Sequence, residues 1–210
     1  MRILFVILSL SFLLKTDAQS NTTRVQYKNE KWFVDYFMTI DVNRFMPTAE
    51  FINTLNDSFG VGLYFGLPIS NRFRIELGTS LFFPDEKQTI RYFNEGEILE
   101  GGPGLSGALG FWGTHVTPLK DNLVWDKRIG FGLGFFQTDI ETGNPEEDND
   151  SVYGAETLFL SIGTGIRARV YRRNVGFKLE YFFVPYNLFK KHFESGFGSS
   201  YLTLGLSFGF

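Results

Sequence analysis

The chain offers few side chains that could carry out catalysis or hold a metal ion. Among its 210 residues there is no cysteine, and the only histidines are His115 and His192. A disulfide framework, a thiolate metal site and a cysteine nucleophile are therefore excluded, and a multi-histidine metal centre lacks ligands. The 20 basic and 23 acidic residues leave no basic field, so nucleic acid is not expected as a partner.

One segment resembles a hydrolytic site, because His192 is followed closely by Glu194 and Ser195. Acyl transfer requires a hydroxyl nucleophile beside a base that a carboxylate orients. The spacing matches no such pattern, and a loop histidine is usually solvated or hydrogen-bonded. We therefore expect a protein that is not an enzyme, without catalytic residues and without a cofactor.

A second candidate is the acidic run at residues 146–150, Glu-Glu-Asp-Asn-Asp. Carboxylate and amide oxygens are suitable ligands for Ca²⁺. The run lacks the spaced glycine and the closing glutamate of a defined calcium loop, so a solvated surface loop is the preferred interpretation.

The elements that would position these residues are short segments in which apolar residues recur at every second position. Clusters of Asn, Asp, Gly and Pro separate eight of them, at residues 32–42, 59–67, 73–83, 105–117, 123–135, 158–170, 175–184 and 201–210. This period predicts an all-β fold. The connections alternate between short turns and long loops, which is typical of an eight-stranded antiparallel up-and-down transmembrane β-barrel with both termini at the short-turn end.

The two faces of these segments differ in composition. One face is apolar, whereas the other is rich in glycine, as in Gly60, Gly62, Gly130 and Gly132. A soluble barrel of the lipocalin kind would turn its polar face to water, where glycine only weakens a strand. In a narrow lumen, glycine makes room for a few large side chains. The pattern therefore favours a glycine-rich interior and a lipid-facing apolar exterior.

Eight charged residues within the segments fall on the glycine-rich face, which predicts a network of ion pairs inside the barrel. Its members are Asp35, Arg74, Glu76, Arg167, Arg169, Lys178 and Glu180, and Asp41 lies on the same face. Because unpaired buried charge is costly, Glu180 is expected to pair with Arg167 or Arg169, and Glu76 or Asp35 with the other arginine. The network would plug the lumen; a narrow ion or solute channel is the alternative.

The amino terminus has the pattern of an export signal. Arg2 precedes an apolar run from Ile3 to Leu14, which is too short to span a bilayer as a helix, and Ala18 provides a small residue for cleavage. We interpret residues 1–18 as a cleavable signal peptide and residues 19–210 as one outer-membrane β-barrel domain. A membrane anchor is the alternative for the first segment.

The carboxyl terminus carries the most specific pattern. In the last eight residues, Thr203 is polar, a glycine follows at Gly205, and Phe208 and the terminal Phe210 are aromatic. This resembles the insertion signal of bacterial outer-membrane barrels. The chain as a whole resembles the small eight-stranded barrels of the OmpA transmembrane-domain and OmpX type, and its long loops and many phenylalanines resemble barrels of Bacteroidetes, including the PorT-like group.

That resemblance implies a Gram-negative outer-membrane protein, exported through the inner membrane and inserted by the barrel-assembly machinery. Its surroundings would be outer-membrane lipid and lipopolysaccharide, and the long loops would allow a protein partner. Lipid A modification, which some such barrels perform, is the least favoured function. The loop aromatics are Phe45, Phe51, Phe93, Phe189, Phe193 and Phe197. They would either contact a partner or pack over the mouth of the barrel.

Overall fold

The computed structural model describes residues 36–94, 97–140, 151–171, 173–189, 191, 193 and 197–210. The predicted signal peptide, Asp35, His192 and the acidic run at 146–150 lie outside these ranges. Within them, no helix has the length and apolar character needed to cross a membrane.

Long antiparallel strands dominate the fold. In chain order the elements are β1 Met38–Pro47, α1 Phe51–Thr54, β2 Leu55–Asn56, β3 Ser58–Ser70, β4 Phe73–Phe82, β5 Asp85–Glu86, β6 Ile90–Asn94, β7 Glu97–Lys120, β8 Leu123–Ile140, β9 Ser151–Val170, β10 Arg173–Phe183 and β11 Ser200–Gly209. Eight of these strands, β1, β3, β4 and β7 to β11, pair in order around a ring that the β1–β11 and β4–β7 ladders close. The predicted eight-stranded antiparallel β-barrel is therefore confirmed.

Three strands continue far beyond the predicted segments. The sequence predicts loops for the parts of β7, β8 and β9 at 97–104, 137–140 and 151–157, because glycine, proline and polar residues interrupt their alternation. They form strands because each pairs with its neighbour, and β6 adds a hairpin to β7. One wall of the barrel is thus taller than the rest.

The direction in which the side chains point follows the predicted two faces. In β3, Gly60 and Gly62 are buried, whereas Phe59 and Val61 are 73% and 47% exposed. Glycine is needed inside: a Cβ atom at Gly66 would overlap the guanidinium of Arg74. The apolar exterior and the glycine-rich interior are therefore confirmed.

The alternation does not extend to the residues before β1. Continued back from Met38, the period of two would place Tyr36 outside, yet Tyr36 is 8% exposed and Phe37 is 53% exposed. The pattern fails because β1 begins only at Met38, and a residue outside the ladder is not bound by its pleat.

The two ends of the barrel differ. Short turns join β3 to β4 at 71–72 and β7 to β8 at 121–122, and Tyr171 begins the short connection from β9 to β10. Phe210 lies at the same end, where its backbone bonds to Phe37 and Met38. We call this the turn end, and the opposite one, with the longer connections, the loop end.

Candidate functional site in the barrel interior

An unbroken chain of alternating charges fills the half of the interior nearer the turn end. Arg74 lies 3.2 Å from Glu76, which lies 2.9 Å from Arg128. Arg128 approaches Glu180 at 3.6 Å, Glu180 approaches Lys178 at 3.4 Å, and Lys178 pairs closely with Asp41. Since every neighbour has the opposite sign, each buried charge is compensated on at least one side.

Glu180 is the centre of this chain. Its side chain is fully buried, and besides its two cationic neighbours it accepts hydrogen bonds from Trp112 Nε1 at 2.7 Å and Ser161 Oγ at 2.6 Å. Hydrogen bonds to an ionised carboxylate are among the stronger ones in proteins. Strands β7, β8, β9 and β10 therefore converge on one carboxylate.

A separate ion pair lies closer to the turn end. Arg167 donates to Asp126 from Nε at 2.8 Å and from Nη2 at 2.9 Å. The ring of Tyr36 lies 3.5 Å from the Arg74 guanidinium and 4.7 Å from that of Arg167, so it links this pair to the chain of charges. A cavity of about 30 Å³ remains between them, which is room for one or two water molecules.

Aromatic rings fill the other half of the interior. Phe182 stacks on Tyr201 with centroids 4.8 Å apart, and Phe45 and Phe82 also contact Tyr201. Trp112 packs on Phe159 at 5.3 Å while its ring nitrogen bonds to Glu180, so it joins the two halves.

The connection between β10 and β11 closes the mouth with more rings. Phe193 stacks on Phe197 at 3.9 Å, and both pack against Phe136 of β8. Tyr186 donates to the carbonyl of Phe135 at 3.1 Å, and its burial raises the pKa of its hydroxyl. Among the described residues, buried side chains thus continue from the ionic half to this connection.

The interior of the barrel is crossed by ion pairs between strands. Its ion pairs join four basic groups (Arg74, Arg128, Arg167, Lys178) to four acidic ones (Asp41, Glu76, Asp126, Glu180). His115 is exposed on the outside of β7, away from these groups. Across the ranges that the structure describes, no three His, Asp or Glu side chains are grouped as metal ligands.

The structure places Arg74, Glu76, Arg167, Lys178 and Glu180, all predicted for the lumen, inside the barrel. Asp35 is outside the described residues. For Arg169 the prediction of an inward side chain was wrong, because its side chain is exposed. It lies next to the last residue of β9, past the level of Arg167, where a long side chain reaches water at the turn end.

The predicted partner of Glu180 was also wrong. Glu180 and Arg128 are both in register with Gly163, one on each neighbouring strand, and the missing side chain leaves room for them to meet. Arg167 is in register with Gly176, four positions nearer the turn end, where it meets Asp126 instead.

Sequence reasoning missed Arg128, Asp126 and the part that Asp41 plays. Arg128 and Asp126 occupy the same alternate positions of β8 as Gly130 and Gly132, so the glycine pattern already marked them as inward. The sequence places Asp41 on the correct face, and the structure shows that it pairs with Lys178.

Three residues of the carboxyl-terminal pattern lie in β11, and the fourth, Phe210, follows its last residue. Thr203 and Gly205 point inward, whereas Phe208 is half-buried and Phe210 is 46% exposed on the outside. Arg173 lies 4.7 Å above the Phe210 ring. The aromatic positions therefore belong to the outer surface near the turn end.

The loop aromatics mostly pack inward. Phe45, Phe51 and Phe193 are at most 1% exposed, and Phe197 packs against this core. Phe93 is half-buried, and Phe189 is 70% exposed. Phe45 lies in β1 and not in a loop, so packing over the mouth accounts for Phe51, Phe193 and Phe197, and Phe189 alone of the six remains largely open.

Comparison with known proteins gives structural likeness only. No protein-family model and no curated protein sequence matches the chain. Neisserial surface protein A has a TM-score of 0.50 at 12% identity, over 83% of this chain and 97% of its own. Two further barrels align less well. The Pseudomonas aeruginosa OprF barrel domain has a TM-score of 0.40 at 11% identity, over 82% of this chain and 97% of its own. Yersinia pestis Ail has a TM-score of 0.44 at 11% identity, over 83% of this chain and 97% of its own.

The likeness to the neisserial protein shows the fold, which is that of the small eight-stranded outer-membrane β-barrels.

Proposed function

We propose that this protein is an integral outer-membrane barrel with a structural or interaction role, whose lumen is plugged by its own side chains. The observation that carries the proposal is an apolar outer band around a charged interior. Lipid excludes charge from the outside of a barrel, whereas a protein in water would have the reverse arrangement.

The height of the apolar band on β8 supports the proposal. Its outward residues Ile129, Phe131, Leu133 and Phe135 lie between Lys127 and Gln137. About ten residues of a strand tilted by about 40° rise about 25 Å, the height of the apolar band of outer-membrane barrels. Lys127 and Gln137 would therefore mark the two boundaries of the hydrocarbon layer.

Orientation and partners follow from the same proposal. The turn end would face the periplasm, and the tall wall of β7 to β9 would stand outside the cell among lipopolysaccharide. The exposed Phe189 supports a contact of the last loop with a protein or lipid partner.

The barrel-assembly machinery would recognise Phe208 and Phe210 during insertion. The many phenylalanines support a relationship to the PorT-like barrels of Bacteroidetes.

The two alternatives have less support. A narrow channel would need a continuous path along the barrel axis. Buried side chains lie along that axis, from Glu180 in the ionic half to Phe193 near the loop end. A lipid-modifying enzyme would need a nucleophile and a base together, and Ser161, the hydroxyl beside Glu180, is buried in the ionic half of the barrel.

Insertion tests the proposal directly. The protein expressed in a Gram-negative host should sediment with the outer membrane, resist extraction by urea, and shift in electrophoretic mobility on boiling. Phe210→Asp should abolish these properties and Phe210→Tyr should preserve them. Recovery of the wild-type barrel as a soluble periplasmic monomer would contradict membrane insertion, and normal insertion of Phe210→Asp would refute the role of the terminal aromatic.

A further inference from the structure

The outer surface of β7, β8 and β9 has a polar interruption near the turn end. His115, Lys127 and Thr164 lie directly opposite one another on the three neighbouring strands, and all three point outward and are exposed. Directly opposed side chains on neighbouring strands have Cβ atoms about 5 Å apart, so the three form one row. On β8 the next outward residue toward the loop end, Ile129, is 63% exposed and apolar.

Lys127 is held in place by its neighbours. Its Nζ lies 4.1 Å from the centre of the Trp125 ring, and Trp125 Nε1 donates to Thr164 Oγ1 at 2.6 Å. The indole is thus fixed across two strands and supports the ammonium group on its face. Tryptophan with lysine is the combination that marks the boundary between hydrocarbon and headgroups.

A shallow apolar groove of about 600 Å³ begins at this row and follows the outside of the barrel. Gly113 helps to form it, because the missing side chain leaves a gap between Phe73 and Ile129. The groove continues over Ile162 and Leu179, so it has an apolar floor next to a cationic and hydrogen-bonding row.

The charge at this end of the barrel favours an anionic occupant. Among the described residues, the exposed charged side chains at the turn end are basic except for Asp121; they are Arg72, Lys120, Lys127, Arg169 and Arg173. Of these cations, only Lys127 lies in the groove, where its ammonium group can pair with an anionic headgroup at the same depth.

We propose that this groove binds an anionic glycerophospholipid of the leaflet at the turn end. Lys127 and His115 contact its phosphate, and one acyl chain lies over Ile129, Ile162 and Leu179. The inference rests on the proposed membrane insertion, and goes beyond it by assigning a specific headgroup charge to one part of the barrel wall. A second copy of the chain would need to cover Lys127 without neutralising it, which disfavours that occupant.

Fluorescence of Trp125 tests the proposal, since its ring borders the groove. The refolded barrel is placed in bilayers of phosphatidylcholine that contain brominated phosphatidylglycerol or brominated phosphatidylcholine, and the quenching due to Trp125 is obtained by subtracting the signal of Trp125→Phe. Brominated phosphatidylglycerol should compete for the site about fivefold more strongly, the effect of one basic residue at an anionic surface. Lys127→Gln should remove this preference, whereas Lys120→Gln, on the same hairpin but outside the groove, should retain it.

Equal quenching by the two lipids, or the same loss of preference in Lys120→Gln, would overturn the proposal while leaving the membrane-inserted barrel intact. If neither lipid quenches Trp125 and the barrels cross-link as dimers, a second copy of the chain covers this face. That result would also overturn the lipid proposal. A barrel that fails to enter the bilayer at all would instead refute the proposed function, which flotation of the vesicles detects separately.

Discussion

The two halves of the barrel interior are filled by different chemistry. Toward the turn end, Arg74, Glu76, Arg128, Glu180, Lys178 and Asp41 form one chain of opposite charges. Toward the loop end, aromatic rings meet at centroid distances of 4.8 to 5.3 Å around Tyr201. The ionic half depends on exact pairing, whereas the aromatic half depends on volume.

This difference determines how each half should respond to substitution. Removing one charge from a buried pair leaves its partner desolvated, and no rearrangement of apolar side chains can compensate it. Removing a ring leaves a cavity that its neighbours partly close. The ionic half should therefore be the less tolerant of change.

Glu180→Ala should have the largest effect. It leaves Arg128 and Lys178 short of a counter-charge and removes the acceptor of Trp112, so the free energy of unfolding should fall by about 3–5 kcal/mol. Urea unfolding in detergent micelles measures the loss. Glu180→Gln separates charge from hydrogen bonding, and a loss below about 1 kcal/mol in Glu180→Ala would show that the chain of charges contributes little.

Phe182→Ala gives the matching test in the aromatic half. It removes the ring stacked on Tyr201 and packed on Phe159, which should cost about 3 kcal/mol through lost burial and a partly closed cavity. Phe183→Ala, the outward neighbour on the same strand, is the control and should cost much less. A Phe182→Ala loss clearly larger than that of Glu180→Ala would reverse the order of the two halves.

Gly130→Val tests the junction between the halves. A Cβ atom at Gly130 would overlap Trp112 Nε1 and Ser161 Oγ, the two donors to Glu180. The crowding should destabilise the barrel by about 1–3 kcal/mol. Phe131→Val, which points outward at the next position, is the control. Equal stability of wild type and Gly130→Val in the same unfolding assay would mean that the junction is loosely packed.

Asp126→Asn should have the smallest effect of the four. The side chain of Asp126 is 18% exposed, so water can partly replace the counter-charge that the substitution takes from Arg167. We expect a loss of about 1 kcal/mol, reduced further by salt, unlike the loss in Glu180→Ala. Unfolding at low and high ionic strength makes the comparison, and an effect that salt does not change would place this pair with the buried chain.

The sequence predicts the barrel well because alternation and glycine placement are local patterns. The inward position of Gly60 and Gly62, the outward position of Phe59, and the cores of all eight strands follow from a period of two. The upper parts of β7, β8 and β9 do not, since only pairing between distant segments turns their glycine- and proline-containing stretches into strands.

The interior network was predicted by face but not by partner. Whether a side chain points inward depends only on its alternate position along the strand. Its ion-pair partner depends on the register between strands, which places Arg128 and not Arg167 beside Glu180. Arg169 shows the other limit: its alternate position is inward, but its depth along the barrel lets it reach solvent. The sequence shows which alternate positions point inward, but how far along the barrel axis a side chain lies depends on the register between strands.

Conductance of the purified barrel in a planar bilayer tests the central claim, that side chains fill the lumen. An eight-stranded lumen is narrow, and the alternating charges present no ring of one sign to guide ions. The wild-type barrel should give no steady current, and the same should hold for Phe189→Ala, which changes only an exposed loop ring. A steady, ion-selective current through the wild-type protein would contradict the plugged interior and favour the channel.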